Sequence, residues 1–154
     1  MNAFIRAEYM RLRAKGWTAS AALRAARIED TWTNLVNEGV VRIEHPIDEE
    51  PYDDSYIDTW DDLTVAQRER IKKALHASIE LWGLYGIVGE FFDGKSWVDV
   101  DSVWSILGND LADTGYDADI KSATIEAYRR HCDARASAQA EELASRATYA
   151  GPCA

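Results

Sequence analysis

Between Glu44 and Asp62 the chain has no lysine and no arginine, while nine carboxylates fall there: Glu44, Asp48, Glu49, Glu50, Asp53, Asp54, Asp58, Asp61 and Asp62. A field of one sign steers oppositely charged surfaces and repels nucleic acid and anionic membrane. The opposite shortage marks the start of the chain, where residues 1–28 hold one anion, Glu8, against Arg6, Arg11, Arg13, Lys15, Arg24 and Arg27. With a net charge of -10 overall, the +5 of that stretch leaves -15 for the remainder. The division speaks to partners before it speaks to fold.

Other absences narrow the classes further. No run of eighteen apolar residues is present, and the opening residues contain no unbroken apolar stretch, so neither a membrane span nor a signal peptide is expected and the chain reads as cytoplasmic. There are only two cysteines, Cys132 and Cys153, both late in the chain. A bridge between them would tie down only the tail, so free thiols in a reducing compartment are expected. A Gly-Lys-Ser phosphate loop, a Gly-x-Ser-x-Gly elbow and a Gly-x-Gly-x-x-Gly fingerprint are all missing, which disfavours nucleotide-driven and serine-hydrolase chemistry. His45, His76 and His131 lie on separate elements, none at metal-ligand spacing, so no metal and no cofactor are expected. Adjacent helical residues point about 100° apart, so His131 and Cys132 make a poor nucleophilic pair. Asp99 and Asp101 share a strand face by alternation, but with 27 acidic residues a same-face pair arises by chance. The chain reads as a non-enzyme.

What is present suits one folded domain. At 154 residues and 47% apolar, with six Trp and seven Tyr, the chain can bury an aromatic-rich core. Ile5, Tyr9 and Leu12 predict a helix over 2–15 ended by Gly16. Thr18 or Ser20 caps a second, with Ala21, Ala25, Ile28, Trp32 and Leu35 on one stripe. Val40 to Glu44 reads as a strand. Thr64 to Trp82 reads as a helix whose Ile71, Leu75, Ile79 and Trp82 are expected to pack on a sheet. Leu84 to Val100 reads as a β-hairpin turning at Asp93-Gly94 and pairing with the first strand. Asp101 or Ser102 is expected to cap a short helix through Leu107, and a further helix spans about 117–131. The fold class is α+β: a mostly helical single domain over 1–133 with a small antiparallel sheet of about three strands. It contains a basic helical hairpin (1–38) and an acidic connection (44–62), and is followed by a helical or frayed tail over 134–154.

Tyr85-Gly86-Ile87-Val88, with Ser96-Trp97-Val98-Asp99-Val100-Asp101-Ser102-Val103-Trp104-Ser105-Ile106, resembles a pattern of small uncharacterised accessory proteins of tailed bacteriophages. The opening Tyr9 to Trp17 is similar to phage-encoded starts of this kind. The resemblance covers about a quarter of the chain and implies a phage origin without an activity. Related hairpins that carry a cysteine pair in the turn contrast with Asp93-Gly94-Lys95 here, which offers no metal knuckle.

Three partner classes follow. Extended chain advances about 3.3 Å per residue, so nine carboxylates over nineteen residues fall about one per 7 Å, sparser than one phosphate per roughly 3.4 Å on a DNA strand. The segment alone is too dilute to imitate a duplex. A second set (Glu90, Asp93, Asp99, Asp101, Asp110, Asp113, Asp117 and Asp119) reaches that density only if folding lays both on one face. The expected partner-binding residues are therefore Asp48, Glu49, Glu50, Asp53, Asp54, Asp58, Asp61 and Asp62, with Tyr56 and Trp60 as aromatic anchors, joined by Asp93, Asp99, Asp101, Asp110 and Asp113. The favoured reading is a phage-encoded acidic protein that occupies a basic nucleic-acid-binding surface of a host defence complex or DNA enzyme, as anti-CRISPR and anti-restriction inhibitors and DNA mimics do. The alternatives are a small helix-turn-helix DNA-binding regulator using residues 1–28, with Arg24 and Arg27 one turn apart, and a structural or assembly accessory protein. Direct nucleic-acid binding is disfavoured by the charge of the remainder, and a homodimer pairing the arginines with the acidic segment is the other arrangement open to them.

Overall fold

The computed structural model describes residues 1–111 and 115–149, so that Asp113 and Cys153 lie outside the described residues. Four α-helices accompany a three-stranded antiparallel sheet: α1 (Ala3–Ala14), α2 (Ala19–Asn37), β1 (Val41–Glu44), a 3-10 helix (Ser55–Thr59), α3 (Val65–Trp82), β2 (Leu84–Phe92), β3 (Trp97–Leu107) and α4 (Tyr116–Tyr149). None of the described helices is long and apolar enough to cross a membrane.

The helix starts are set by side-chain caps that satisfy otherwise orphaned N–H groups. Asn2 accepts from the Ile5 N–H, Thr18 from Ala21, and Thr64 with Gln67 forms a reciprocal capping box ahead of α3. Gly16 (φ 88°) turns α1 into α2, and the two helices pack as the expected hairpin, burying Leu12, Ala22 and Ala26.

The sheet order is β1-β2-β3, with Val41 opposite Phe91 and Phe92 opposite Trp97. The hairpin between β2 and β3 forms as its composition predicts. Gly94 alone takes positive φ (101°), while the Asp93 carboxylate accepts from the N–H groups of Lys95 and Ser96 at 2.7 and 2.8 Å. These bonds hold Asp93 below its ordinary pKa.

Two expectations are corrected here. Ser102 to Leu107 is strand, not a short helix capped by Asp101. Val103 and Ile106 pair with Ile87 and Tyr85 and pack towards the cluster of Ile87, Ile106 and Ile120. As strand, the segment gains ladder bonds to β2 and buries Ile106, whereas a six-residue helix would hold little of itself. The second correction concerns which helix covers the sheet. It is α4, not α3. Ile120, Thr124 and Tyr128, spaced by four, and Ile125 lie over β2, joining Trp32 of α2 with Val41 and Phe91. The close approach is made at Gly89, where a Cβ would stand 2.6 Å from Ile120 Cγ2 and overlap Thr124 Oγ1. In contrast, α3 buries no residue: Ile71, Leu75 and Ile79 are half-buried, Trp82 is exposed, and the helix rests on the 3-10 helix at one end of β3.

Beyond the sheet α4 continues unbroken through residue 133, and every described residue from Cys132 onward is exposed. This Ala-rich length carries Glu142 and Arg146 paired one turn apart.

Candidate protein-interaction face

One sheet face is occupied by α4 and α2. The other carries the charge. Cross-strand partners share a face, so the register Arg42–Glu90–Asp99 places one residue from each strand side by side. Arg42 Nε lies 2.6 Å from Glu90 Oε2 and 3.2 Å from Glu44 Oε1, and its guanidinium stacks 4.2 Å above the Trp97 ring. A hydrogen bond shared with the Glu90 carboxyl raises the Asp99 pKa, and burial and the repulsion between the two carboxylates add to it. Asp101, however, pairs with Gly89, whose side of the sheet is the α4 side. A register shift between Gly89 and Glu90 breaks the simple alternation of β3, so the expected same-face pair of Asp99 and Asp101 does not form.

The acidic connection folds back along the same end of the sheet. Backbone bonds from Gly86 N–H to Pro46 O and from Asp48 N–H to Leu84 O extend the pairing of β1 past Pro46, with an isolated bridge between Ile47 and Tyr85. From there the Asp48 side chain reaches β3, where its Oδ2 accepts from the Ser105 N–H at 3.0 Å and the Ser105 hydroxyl at 2.9 Å. Ser105 is the one described non-glycine residue with positive φ (61°), a conformation that costs a side-chain-bearing residue roughly 1–2 kcal/mol. The two bonds to Asp48 offset that strain. Ser105→Gly, which relieves the strain but loses the hydroxyl bond, should therefore leave stability within about 0.5 kcal/mol of the parent, while Ser105→Ala and Asp48→Ala should each cost about 1–2 kcal/mol. Urea denaturation of the three variants checks the order, and an Ala variant as stable as the Gly variant would refute it.

Not every carboxylate in the connection is free to meet a partner, as the sequence reading had assumed. Asp54 Oδ2 accepts from His76 Nε2 at 2.8 Å, and Asp58 pairs with Lys72 at 2.8 Å. Arg68 donates to the backbone oxygens of Asp58 and Trp60. His76 and Lys72 are thus part of the surface on which the connection lies. Asp58 in turn raises the Lys72 pKa. Asp53 accepts from the Ser55 N–H at 2.9 Å, and its hydrogen bonds with Ser55 lower its pKa. Ile57 plugs the 3-10 helix into the interior at 1% exposure.

The aromatic residues form a short ladder. The Tyr52 and Tyr56 hydroxyls lie 2.8 Å apart, and the Tyr56 and Trp60 rings meet edge to face at 5.9 Å. Their hydrogen bond pushes the Tyr52 pKa up to about 12. Tyr56 and Trp60 remain 44% and 39% exposed, enough to touch a partner.

Two clefts define the face. One of 610 Å³ is lined by Asp48, Glu49, Glu50, Asp53, Tyr52 and Trp104, and one of 560 Å³ by Arg42, Glu44, Val88, Glu90, Asp99 and Trp104. Trp104 belongs to both. Its ring lies over Gly86, where a Cβ would come within 2.7 Å of it, and its Nε1 donates to Ser102 Oγ at 3.1 Å. It stays 47% exposed. Comparison with protein-family models, curated proteins and solved structures finds no match. The geometry alone therefore has to speak for the site.

Of the expected residues, Asp48, Glu49, Glu50, Asp53 and Asp99 converge around Trp104. Asp54 and Asp58 are engaged by α3, while Asp61 and Asp62 sit exposed in the turn before α3 and line neither cleft. Asp93 caps the hairpin, Asp110 lies in the turn after β3, and neither lines these clefts. The residue that sequence reasoning misplaced is Trp104, assigned to a helix. The signal for it was Gly86, whose missing side chain leaves room for the Trp104 ring on β2. Among the described residues no group of three His, Cys, Asp or Glu is arranged to hold a metal ion.

Proposed function

We propose that this chain is a non-catalytic, phage-encoded acidic binding protein that covers a basic nucleic-acid-binding surface of a host protein. The observation that carries the reading is the junction at Trp104. An exposed indole stands between two carboxylate-lined clefts to which Arg42 is the sole Lys or Arg contributed. Exposed carboxylates attract a cationic surface, and a large aromatic ring beside them supplies the apolar contact that slows departure. The resemblance to phage accessory proteins supports the setting, and the net charge of -10 supports the sign of the partner. Glu90 and Asp99, the two members of the second acidic set that reach the clefts, favour this reading over that of a structural accessory protein.

The test begins with capture of partners from a bacterial lysate at low and high salt and then measures rates with the purified partner. Association of the parent should slow steeply as the Debye length shrinks from about 10 Å at 0.1 M salt to about 3 Å at 1 M. Glu49→Gln, Glu50→Gln and Asp53→Asn together should lower the on-rate, whereas Trp104→Ala should raise the off-rate. Asp93→Asn with Asp110→Asn, away from the clefts, should change neither. The parent should also displace nucleic acid from the partner. A partner that binds the triple variant at the parent's rate, or that retains its nucleic acid when saturated, would overturn the proposal.

A further inference from the structure

Arg24 and Arg27 of the basic opening segment, both exposed, lie on the side of α2 that shares a groove with α4. Ser20, Arg24, Arg27 and Thr31 recur at three- and four-residue spacing along one side of α2, and Ser122, Glu126 and Arg129 do the same on α4. Between these stripes runs a groove of 700 Å³ with Leu23, Ile28 and Ile125 also lining it. Pockets of this size are ordinary for small-molecule sites.

The groove gathers three guanidinium groups from two helices. Carboxylates outnumber Lys and Arg by 27 to 17, and Arg11, Arg42, Lys72, Lys121, Arg130 and Arg146 each take an acidic partner. Arg24, Arg27 and Arg129, all exposed, are three of the eleven Lys and Arg that form no ion pair among the described residues, and the groove brings them together. Glu126, the groove's one carboxylate, is turned to Arg130 at 2.8 Å. The first turn of α2, at the Ser20 end, holds no acidic residue to offset the positive end of the helix dipole. Three guanidinium groups contributed by two helices, with serine and threonine hydroxyls between them and apolar side chains alongside, match an anion that has phosphate oxygens and a flat apolar body.

We propose that the groove between α2 and α4 binds an organic phosphate of nucleotide size, its phosphates held by Arg24, Arg27 and Arg129 and its apolar part lying on Leu23, Ile28 and Ile125. The site is separate from the Trp104 face and stands or falls without it.

Isothermal titration of the full chain with adenosine triphosphate and with inorganic pyrophosphate tests the assignment. Both should bind saturably at one site and compete, adenosine triphosphate more tightly because it adds the apolar contact. Arg27→Ala with Arg129→Ala should weaken binding at least tenfold with an unchanged circular dichroism spectrum, and Arg27→Lys should lose less than Arg27→Ala because it keeps the charge without the fork. Glu126→Gln should tighten binding. Arg146→Ala, on the exposed length of α4, should leave it unaltered. Absence of saturable binding up to about 10 mM ligand would overturn the proposal. So would equal affinity in the double variant, or binding of a short duplex that pyrophosphate fails to displace.

Discussion

Gly89→Ala should strongly destabilise this protein, although it adds a single methyl group. The new Cβ would overlap Thr124 Oγ1 and stand 2.6 Å from Ile120 Cγ2, and both residues are fully buried. Neither can swing aside. Thr124 Oγ1 donates to the Ile120 carbonyl at 2.7 Å inside α4, so relief requires the helix to lift from β2. Overpacking in a close-packed core costs about 1–3 kcal/mol and sometimes more, and here the displaced body is the helix that closes the core, which puts the expected cost at about 3 kcal/mol or above. Against a domain stability of roughly 5–15 kcal/mol that is a large share. The midpoint of urea denaturation measures it. Adding Thr124→Ala should recover only part, because Ile120 remains. Gly86→Ala provides the contrast: its Cβ would meet Trp104, which is half exposed and held by one hydrogen bond, so the ring can move for about 1 kcal/mol. The fold should persist while tryptophan fluorescence shifts. Equal stability of the Gly89 and Gly86 variants would refute the packing described.

Ile125→Ala should cost about 2–5 kcal/mol and Leu75→Ala about 1 kcal/mol or less, a ratio opposite to the one the sequence suggests. Ile125 is 5% exposed and belongs to the cluster of Trp32, Val41 and Phe91, so truncation leaves a cavity bounded by three elements that cannot all collapse into it. Leu75 lies half-buried on a helix that buries no residue, where water replaces the lost methyls at little cost. Denaturant titration of the pair distinguishes the two helices directly. Should Leu75→Ala prove the more damaging, α3 and not α4 would be the helix that closes the core.

The period of α3 explains why the sequence pointed to it. Ile71, Leu75 and Ile79 repeat at four-residue spacing, an apolar stripe that ordinarily marks a core face. Pattern of that kind reports that a face is less polar than its opposite, not what covers it. The contrary evidence lay in two residues distant in sequence, a glycine in β2 and a threonine in α4. They acquire meaning only when strand and helix are brought together. Trp104 was lost for a related reason. Asp101-Ser102 is a good helix cap locally, and only the hydrogen-bonding edge of β2 makes strand the better outcome for the residues that follow.

What the sequence determined by itself is what depends on neighbours a few residues away. The caps at Asn2, Thr18 and Thr64, the turn at Gly94 with the hairpin it closes and the α+β class follow from local donors, acceptors and alternation. The segregation of charge along the chain was equally plain. What only the tertiary structure decided is which charges remain available. Lys72 and His76 engage Asp58 and Asp54, Ser105 engages Asp48, and α4 sets Arg129 beside Arg24 and Arg27. Charge is additive along a sequence, but Coulomb energy and desolvation depend on distance and burial, and those are set by contacts between residues tens of positions apart.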